Sequence, residues 1–269
     1  MKLNNRLINF IAVLFLLFVA GSCEHSWEIE ERDWELTWQD EFDIDGAPDP
    51  TKWACELGGG GWGNAELQRY TDESDNIRIE EGVLKITAQR NGNMFTSARL
   101  ISKGLFEQTY GRFEARIRLP YGPGIWPAFW LLGNDIDAAG WPQCGEIDIM
   151  EFRGQQPNIV HGSLHGPGYS GGSPITKSYG FENDRLDKDY HIFAIEWGED
   201  FIHYYVDDRI YQEITFDEVE AEGDWVFDHP FYILLNLAVG GNYVGFPTDS
   251  TPFPQTMFVD WVRVYKEVQ

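Results

Sequence analysis

The sequence predicts an all-β fold, a two-sheet antiparallel β-sandwich of the jelly-roll kind. Apolar and polar residues alternate along many short segments, which are separated by loops rich in Gly, Pro, Asn and Asp. No segment keeps a helical period of apolar residues. Residues 34–268 contain no linker, repeat or low-complexity stretch, so we expect a single domain over 34–269.

The individual strands follow from this period of two. Phe113, Ala115 and Ile117 alternate with charged residues, as in a strand with one buried face. The segments that show a similar strand pattern are 83–88, 191–197, 201–206, 210–214, 231–237 and 257–265. The sequence Asp207-Asp208-Arg209 predicts a hairpin turn between two of them.

The amino terminus has the pattern of an export signal. Lys2 and Arg6 precede eleven apolar residues at 10–20, too few for a membrane-spanning helix. Small residues directly before Cys23 resemble a bacterial lipobox. We therefore expect a lipoprotein signal peptide at 1–22, a lipid on Cys23 that anchors the protein in the outer membrane of the cell envelope, and an acidic tether at 23–33. Ordinary cleavage with an incidental cysteine is the alternative.

Charge and composition exclude several kinds of partner. The formal net charge is -24, which argues against nucleic acid and against anionic membrane surfaces, and disfavours polyanionic substrates. The 11 Trp residues exceed what one core usually needs and suggest exposed aromatic platforms. After Cys23, the sequence leaves open whether Cys55 and Cys144 form a disulfide or remain free thiols.

A glycine-rich run at 58–64 could be mistaken for a phosphate-binding loop. It lacks the Lys-Ser/Thr pair of a P-loop and the strand-to-helix context of a dinucleotide site. We interpret it as a loop that presents Trp62 and Asn64 at the rim of a cleft.

The segment 146–151, reading EIDIME, is the most informative part of the chain. On a strand, Glu146 and Asp148 share one face, while the isoleucines between them face a core. Glu151 is five residues after Glu146, an odd number, so on a regular strand it would face the core instead. A β-bulge, with Met150 as the extra residue, would return Glu151 to the side of the other two acids.

Three acids on one face point to glycoside hydrolysis by paired carboxyl groups. A separation of about 5–5.5 Å gives a retaining mechanism, and a span shortened by a bulge suits it. We assign Glu146 as nucleophile and Glu151 as general acid/base, with Asp148 between them as a modulator of their protonation. The three should titrate as a coupled set. A solvated acidic face or a metal site are the alternatives, but the interleaved apolar residues and the lack of His within the segment disfavour them.

Gly145 and the segment 146–151 resemble the signature of family 16 glycoside hydrolases, in the bulged form of the laminarinase branch. The resemblance extends over nearly the whole domain. Residues 38–42 resemble the opening strand of the family, and 59–71, reading GGGWGNAELQRYT, resembles a laminarinase segment. Further matching segments, in the expected order, are 103–104, 110–114, 124–132, 236–241 and 260–265.

The resemblance implies a jelly roll whose catalytic strand lines a concave substrate cleft. It assigns the three acids the roles given above and needs no cofactor for catalysis. The residues that it places in the cleft are Trp126, Trp130, Trp141, Asn64, Glu66, Arg99, His165 and Asn236. Core packing is the alternative for the tryptophans, and a purely structural role for His165 and Asn236. Ala65 and Arg69 depart from the family pattern, which often has Asn and Tyr there.

Many relatives bind a structural calcium ion between the first and last strands. The matching positions are Glu41, the Gly82 carbonyl and Asp260. Asp260 lies among alternating valines, so an ion or an arginine must neutralise it if that face is buried.

The expected function is that of a retaining endo-β-glucanase acting on internal β-1,3 bonds of laminarin-like glucans, with mixed-linkage β-1,3/1,4-glucan as a further candidate. The partner is then a β-glucan polysaccharide, and we expect a monomer. One alternative is a galactan hydrolase of the agarase, porphyranase or carrageenase type from the same family. Another is a non-catalytic glycan-binding surface lipoprotein.

Overall fold

Alternating burial along the chain builds two β-sheets that pack face to face. The computed structural model describes residues 32–182 and 184–268, so the predicted signal peptide, Cys23 and nearly all of the tether lie outside the described residues. The strands are β1 Trp34–Asp40, β2 Ala54–Cys55, β3 Gln68–Tyr70, β4 Ile77–Glu80, β5 Val83–Asn91, β6 Met94–Ser97, β7 Arg99–Ile101, β8 Glu107–Gln108, β9 Gly111–Arg118, β10 Ile125–Gly133, β11 Glu146–Phe152, β12 Ile159–His165, β13 Ile175–Gly180, β14 His191–Trp197, β15 Phe201–Val206, β16 Arg209–Thr215, β17 Phe231–Val239 and β18 Gln255–Glu267. Two short helices, α1 Ile136–Ala139 and α2 Phe216–Glu220, join them.

One sheet carries the site and the other supports it. The supporting sheet has the order β16-β15-β14-β9-β18-β5-β6-β3, with β1 on β18 and β4 on β5. The site sheet has the order β13-β12-β11-β10-β17-β7-β2, with β8 on β17. Among the described strands, β3 and β6 pair in parallel and the other pairs are antiparallel. The predicted antiparallel sandwich is therefore confirmed.

The core lies between the sheets. Phe113 and Ile117 of the supporting sheet and Phe129, Ile147 and Ile233 of the site sheet are completely buried in one cluster. Since alternate residues enter this core, the residues between them must face outward, and on the site sheet those residues form the cleft.

Most predicted strands match the structure. The segments 191–197 and 201–206 are β14 and β15, and the others lie within longer strands. The predicted turn is the β15–β16 hairpin, in which Asp207 has a φ of 54° and Arg209 already begins β16. The short helices were not predicted, because four or five residues cannot display a helical period; α2 begins with a capping box between Thr215 and Glu218.

The two acids predicted to bind calcium, Glu41 and Asp260, form ion pairs with arginines. Both carboxylate oxygens of Glu41 accept from Arg263, at 2.8 and 2.9 Å, and Asp260 accepts from Arg116 at 2.6 Å. Gly82 lies in the β4–β5 turn with a φ of 71°. Because these ion pairs neutralise both acids, the side chains match the arginine alternative, and the calcium site stays a prediction.

Both described cysteines are free thiols. Cys55 is half-buried and Cys144 is fully buried. Burial raises the pKa of Cys144 to about 12, so this thiol is unreactive at neutral pH. In residues 32–182 and 184–268, no helix has the length and apolar character needed to cross a membrane.

Candidate active site

The predicted bulge in β11 is present, and it gathers the three acids on one face. Against β12, Asp148 pairs with Ser163 and Glu151 with His161, so three residue steps on β11 match two on its partner. Glu146, Asp148 and Glu151 all line the cleft as a result.

The bulge differs from prediction in one detail. Trp130 of β10 pairs with Asp148 and Phe129 pairs with Met150, which leaves Ile149, not Met150, without a partner on that side. Ile149 and Met150 are both buried in the core. Two consecutive side chains therefore enter the core, and this reverses the parity before Glu151.

The three acids lie at the bottom of a cleft of about 980 Å³ on the site sheet. The structure brings all eight residues that were predicted for substrate binding to this cleft, and they are Trp126, Trp130, Trp141, Asn64, Glu66, Arg99, His165 and Asn236. Gly171, Gly172 and Pro174, from the loop before β13, form part of its wall. Ala65 and Arg69, which depart from the family pattern, are exposed and do not line it.

Indole N–H groups hold the two outer acids. Trp126 Nε1 donates to Glu151 Oε1 at 3.1 Å, and Ser163 Oγ donates to the other oxygen at 3.4 Å. Trp141 Nε1 donates to Glu146 Oε2 at 3.1 Å. These bonds fix the orientation of both carboxyl groups in the cleft.

His165 lies between Glu146, the predicted nucleophile, and the central acid Asp148. Its Nε2 is 3.2 Å from Asp148 Oδ2 and 3.7 Å from Glu146 Oε1. The Gly171 backbone N–H donates to Nδ1 at 3.1 Å. Because Nδ1 is an acceptor, the neutral ring must carry its proton on Nε2, where it faces the two carboxyl groups.

Burial changes the protonation of all three acids. Loss of hydration raises the pKa of Glu146, Asp148 and Glu151, each to about 8. Repulsion from Asp148 raises the pKa of both glutamates further, while His165 opposes the rise. Because ionisation of Asp148 opposes ionisation of both glutamates, the three carboxyl groups titrate as a coupled set.

Glu146, Asp148 and His165 form the one group of potential metal ligands found in residues 32–182 and 184–268. Donor atoms of Glu146, Asp148 and His165 lie within 4.8 Å of one another. A metal would need the lone pair of Nε2, but the Gly171 N–H leaves the ring proton on that atom. The arrangement suits proton transfer better than metal binding.

Beside the acids, towards β7, the cleft wall is built from stacked aromatic and polar groups. The Arg99 guanidinium carbon lies 4.8 Å from the Trp62 ring centre and 4.7 Å from that of Trp130. Trp130 donates to Asn236 Oδ1 at 2.7 Å, and Asn236 donates to the Tyr70 hydroxyl at 3.1 Å. Asn236 therefore serves side chains of the cleft rather than the backbone.

Glu66 lies further along this wall. Gln68 donates to Glu66 at 2.5 Å and accepts from the Val239 N–H at 2.8 Å, which ties the segment before β3 to β17. Burial raises the pKa of Glu66. Gln68, held by Val239, thus positions the Glu66 carboxyl group in the cleft, where it can hydrogen-bond to sugar hydroxyl groups.

Several cleft residues were not among the predicted binding residues. His161 and Ser163 lie on the same face of β12 as His165, a pattern visible in the sequence. Arg153 and Tyr243 come from a loop and a turn, and the guanidinium carbon lies 4.1 Å from the Tyr243 ring centre. No periodic pattern marks those two positions.

Comparison with known proteins identifies the family. The chain is 43% identical over 247 residues to a beta-glucanase of Rhodothermus marinus, covering 88% of this chain and 86% of the relative. It superimposes on the laminarinase catalytic domain of Thermotoga maritima with a TM-score of 0.84 and 48% identity, covering 88% of this chain and 100% of that one. It superimposes on the endo-beta-1,3-glucanase of Pyrococcus furiosus with a TM-score of 0.85 and 47% identity, covering 90% of this chain and 98% of that one. The sequence model of glycosyl hydrolases family 16 matches residues 64–263, and this chain belongs to that family.

Proposed function

We propose that this protein is an endo-acting, retaining β-glucanase that hydrolyses internal β-1,3 bonds of laminarin-like glucans. The observation that carries the proposal is the bulge, which places Glu151 on the same cleft face as Glu146 and Asp148. The names of the similar proteins support the linkage, since two of the three are described as laminarinase or endo-beta-1,3-glucanase.

The reaction takes two steps on these carboxyl groups. In the first, Glu146 attacks the anomeric carbon while Glu151 gives its proton to the departing glycosidic oxygen. In the second, Glu151 takes a proton from water, which displaces Glu146 and restores the β configuration. Burial raises the pKa of Glu151 and keeps it protonated at the start. Burial acts on Glu146 in the same direction, and there the Trp141 N–H and His165 favour the ionised nucleophile against it.

The cleft has lining residues on both sides of β11, which supports cleavage of internal bonds of a glucan chain. Trp130, Asn236 and Arg99 line it towards β7, while His161 and Thr176 line it towards β13. A glucan can therefore extend past the acids in both directions. Indole faces offer apolar surface to sugar rings, as expected for a neutral polysaccharide.

The basic groups of the cleft argue against a sulfated galactan. Arg99 contacts Glu56 at 2.7 Å as well as two indoles, and Lys103 contacts Asp137 at 2.7 Å. Arg99 and Lys103 are therefore already neutralised. Arg153, stacked on Tyr243, is the other Arg or Lys of the described cleft, and one such charge beside three buried acids offers little attraction to a polyanion.

A side-by-side digest of laminarin, lichenan and agarose tests the proposal. We expect oligosaccharides of several lengths from laminarin, and proton NMR should show the β anomer first. Lichenan would be cleaved only if mixed linkages fit the cleft. Products from agarose alone would contradict the substrate class, and an initial α anomer would contradict the role of Glu146.

A comparison with Glu151→Gln separates an enzyme from a lectin. The variant should bind laminarin but release no products, whereas the wild type does both. A glycan-binding protein without activity would bind in both forms and release products in neither.

We also propose that Cys23 carries a lipid that anchors the enzyme in the outer membrane, on the strength of the sequence pattern alone. Labelled palmitate should be incorporated into the wild type and not into Cys23→Ala. A monomer is proposed as well, and light scattering on residues 24–269 should give the mass of a single chain.

A further inference from the structure

His161 stands next to the proposed proton donor. It is the direct partner of Glu151 in the pairing of β12 with β11, so the two side chains are neighbours on the cleft face. It lies on the same face of β12 as His165, but the mechanism above gives it no role.

The two nitrogens of the His161 ring differ in their surroundings. Nδ1 is 2.8 Å from the Ser178 hydroxyl. Nε2 is buried and has no hydrogen-bond partner among the described residues. His165, by contrast, uses both of its nitrogens within the protein. Because buried polar atoms are normally paired, an unpaired atom on the wall of a binding cleft is a position for a ligand atom.

The ring is uncharged under the conditions of catalysis. Burial and the nearby Arg153 lower the pKa of His161 to about 4. A neutral imidazole donates one hydrogen bond and accepts one, which suits the hydroxyl group of a neutral sugar.

The side chains around His161 lie on the leaving side of the cleft, that is, where the sugar released with the glycosidic oxygen would bind. Its ring meets that of Tyr243 edge-on, at 6.1 Å and 76°, and Tyr243 lies 4.9 Å from the ring of Trp126. Trp126 in turn bonds to Glu151. Because Glu151 gives its proton to the departing oxygen, side chains grouped at this carboxyl face the sugar that departs. The nucleophile lies at the other end of the motif, beside Trp141 and His165.

We propose that Nε2 of His161 hydrogen-bonds a hydroxyl of the sugar on the leaving side of the scissile bond, which makes His161 a positioning residue for the leaving group. The inference rests on the proposed glucanase function and deepens it. It also explains why Ser178, at the edge of the sheet, contacts Nδ1: that contact fixes the ring with Nε2 towards the cleft.

Two variants and two substrates test this role. Asn at position 161 retains a polar atom near Nδ1 and removes Nε2, whereas Gln retains a polar atom near Nε2. Laminarin presents a sugar on the leaving side, and a 4-nitrophenyl β-glycoside of laminaritriose presents none. For His161→Asn, kcat/KM on laminarin should fall about tenfold, while kcat/KM on the aryl glycoside should stay within about twofold of wild type. His161→Gln should recover most of the loss.

The outcomes separate this inference from the proposed function. Equal losses on both substrates, or an unchanged kcat/KM on laminarin, would overturn the role of His161. No cleavage of laminarin by the wild type would instead refute the glucanase proposal. Unfolding temperatures of both variants test whether the fold is intact. If His161→Asn does not fold, Ser178→Ala takes its place, and we expect kcat/KM to fall about tenfold on laminarin but not on the aryl glycoside. Equal effects of Ser178→Ala on the two substrates would count against the role.

Discussion

Trp126 donates its indole N–H to Glu151 at 3.1 Å, so a residue predicted to bind sugar also contacts the proposed proton donor. The hydrogen bond favours the ionised carboxylate and lowers the pKa of Glu151, in opposition to burial. The bond couples substrate binding to proton transfer, because movement of the indole changes both.

Trp126→Phe should therefore shift the pH profile at its alkaline side. Without the indole N–H the pKa of Glu151 rises, and the acid keeps its proton to higher pH. We expect the alkaline limb of kcat/KM on laminarin to move up by about half a pH unit to one pH unit.

Trp141→Phe is the matched control, because Trp141 makes the same kind of bond to Glu146. Loss of that bond raises the pKa of Glu146, which must be ionised to act as the proposed nucleophile, so the acidic limb should move up instead. Movement of the same limb in both variants would refute the assignment of roles.

Neutralising Glu151 should stabilise the fold at neutral pH. Its folded pKa of about 8 lies above the ordinary value of 4.5, so the folded protein holds more protons than the unfolded chain between these values. Stability therefore falls as pH rises through that range, and Glu151→Gln removes this loss. In the variant, the Gln oxygen still accepts from Trp126 and its amide can donate to Ser163.

We expect Glu151→Gln to gain about 2 kcal/mol at pH 8, or about 4–8 °C in Tm, and little at pH 4. Calorimetry at the two pH values measures the difference. Glu73→Gln, an exposed site away from the cleft, serves as the comparison. An equal gain at both pH values would show that burial of the charge is not the cause.

Local alternation was enough to predict most of the fold and the centre of the site. The parity of Glu151 within 146–151 required a bulge, because a regular strand would have buried that acid in the core. The strands β14 and β15 were bounded correctly, since apolar and aromatic residues fill both segments while Gly198, Glu199 and Asp200, and then Asp207 and Asp208, end them. These features depend on neighbours in sequence, which a sequence displays directly.

Features that depend on contacts between distant segments could not be predicted. Arg99 stacks between Trp62 and Trp130, and nothing in the sequence of β7 indicates that it meets either. The arginine partners of Glu41 and Asp260 are likewise 222 and 144 residues away. Tyr243 reaches the cleft from a glycine-rich turn without periodicity. Such placements are set by the packing of the sandwich.

The backbone at position 65 explains why the family pattern often has Asn where this chain has Ala. Ala65 has a φ of 58°, in the left-handed region that Asn tolerates and Ala does not. Ala65→Asn should therefore stabilise the protein by about 0.5–1 kcal/mol, with kcat/KM on laminarin within about twofold of wild type, since Ala65 does not line the cleft. Ala221→Asn, at a φ of -73°, should give no such gain in thermal unfolding. Equal changes at both positions would contradict the backbone argument.

The stacking of Arg99 makes it the residue whose loss should most weaken binding on the β7 side of the cleft. Arg99→Met keeps the apolar stem but loses the charge, the ion pair with Glu56 and both cation–π contacts. We expect KM for laminarin to rise about tenfold with kcat reduced less. The wall around Trp62 and Trp130 loosens, whereas Arg99 acts on the acids only through its charge, the smallest of the named influences on the pKa of Glu146. Arg99→Lys should not restore it, since an ammonium group cannot stack between two indoles. Lys103→Met, at an ion pair with the exposed Asp137 in the same cleft, should change KM by about twofold or less. An equal rise in the Lys103 variant would mean that charge alone, and not the stacked geometry, holds the glucan there.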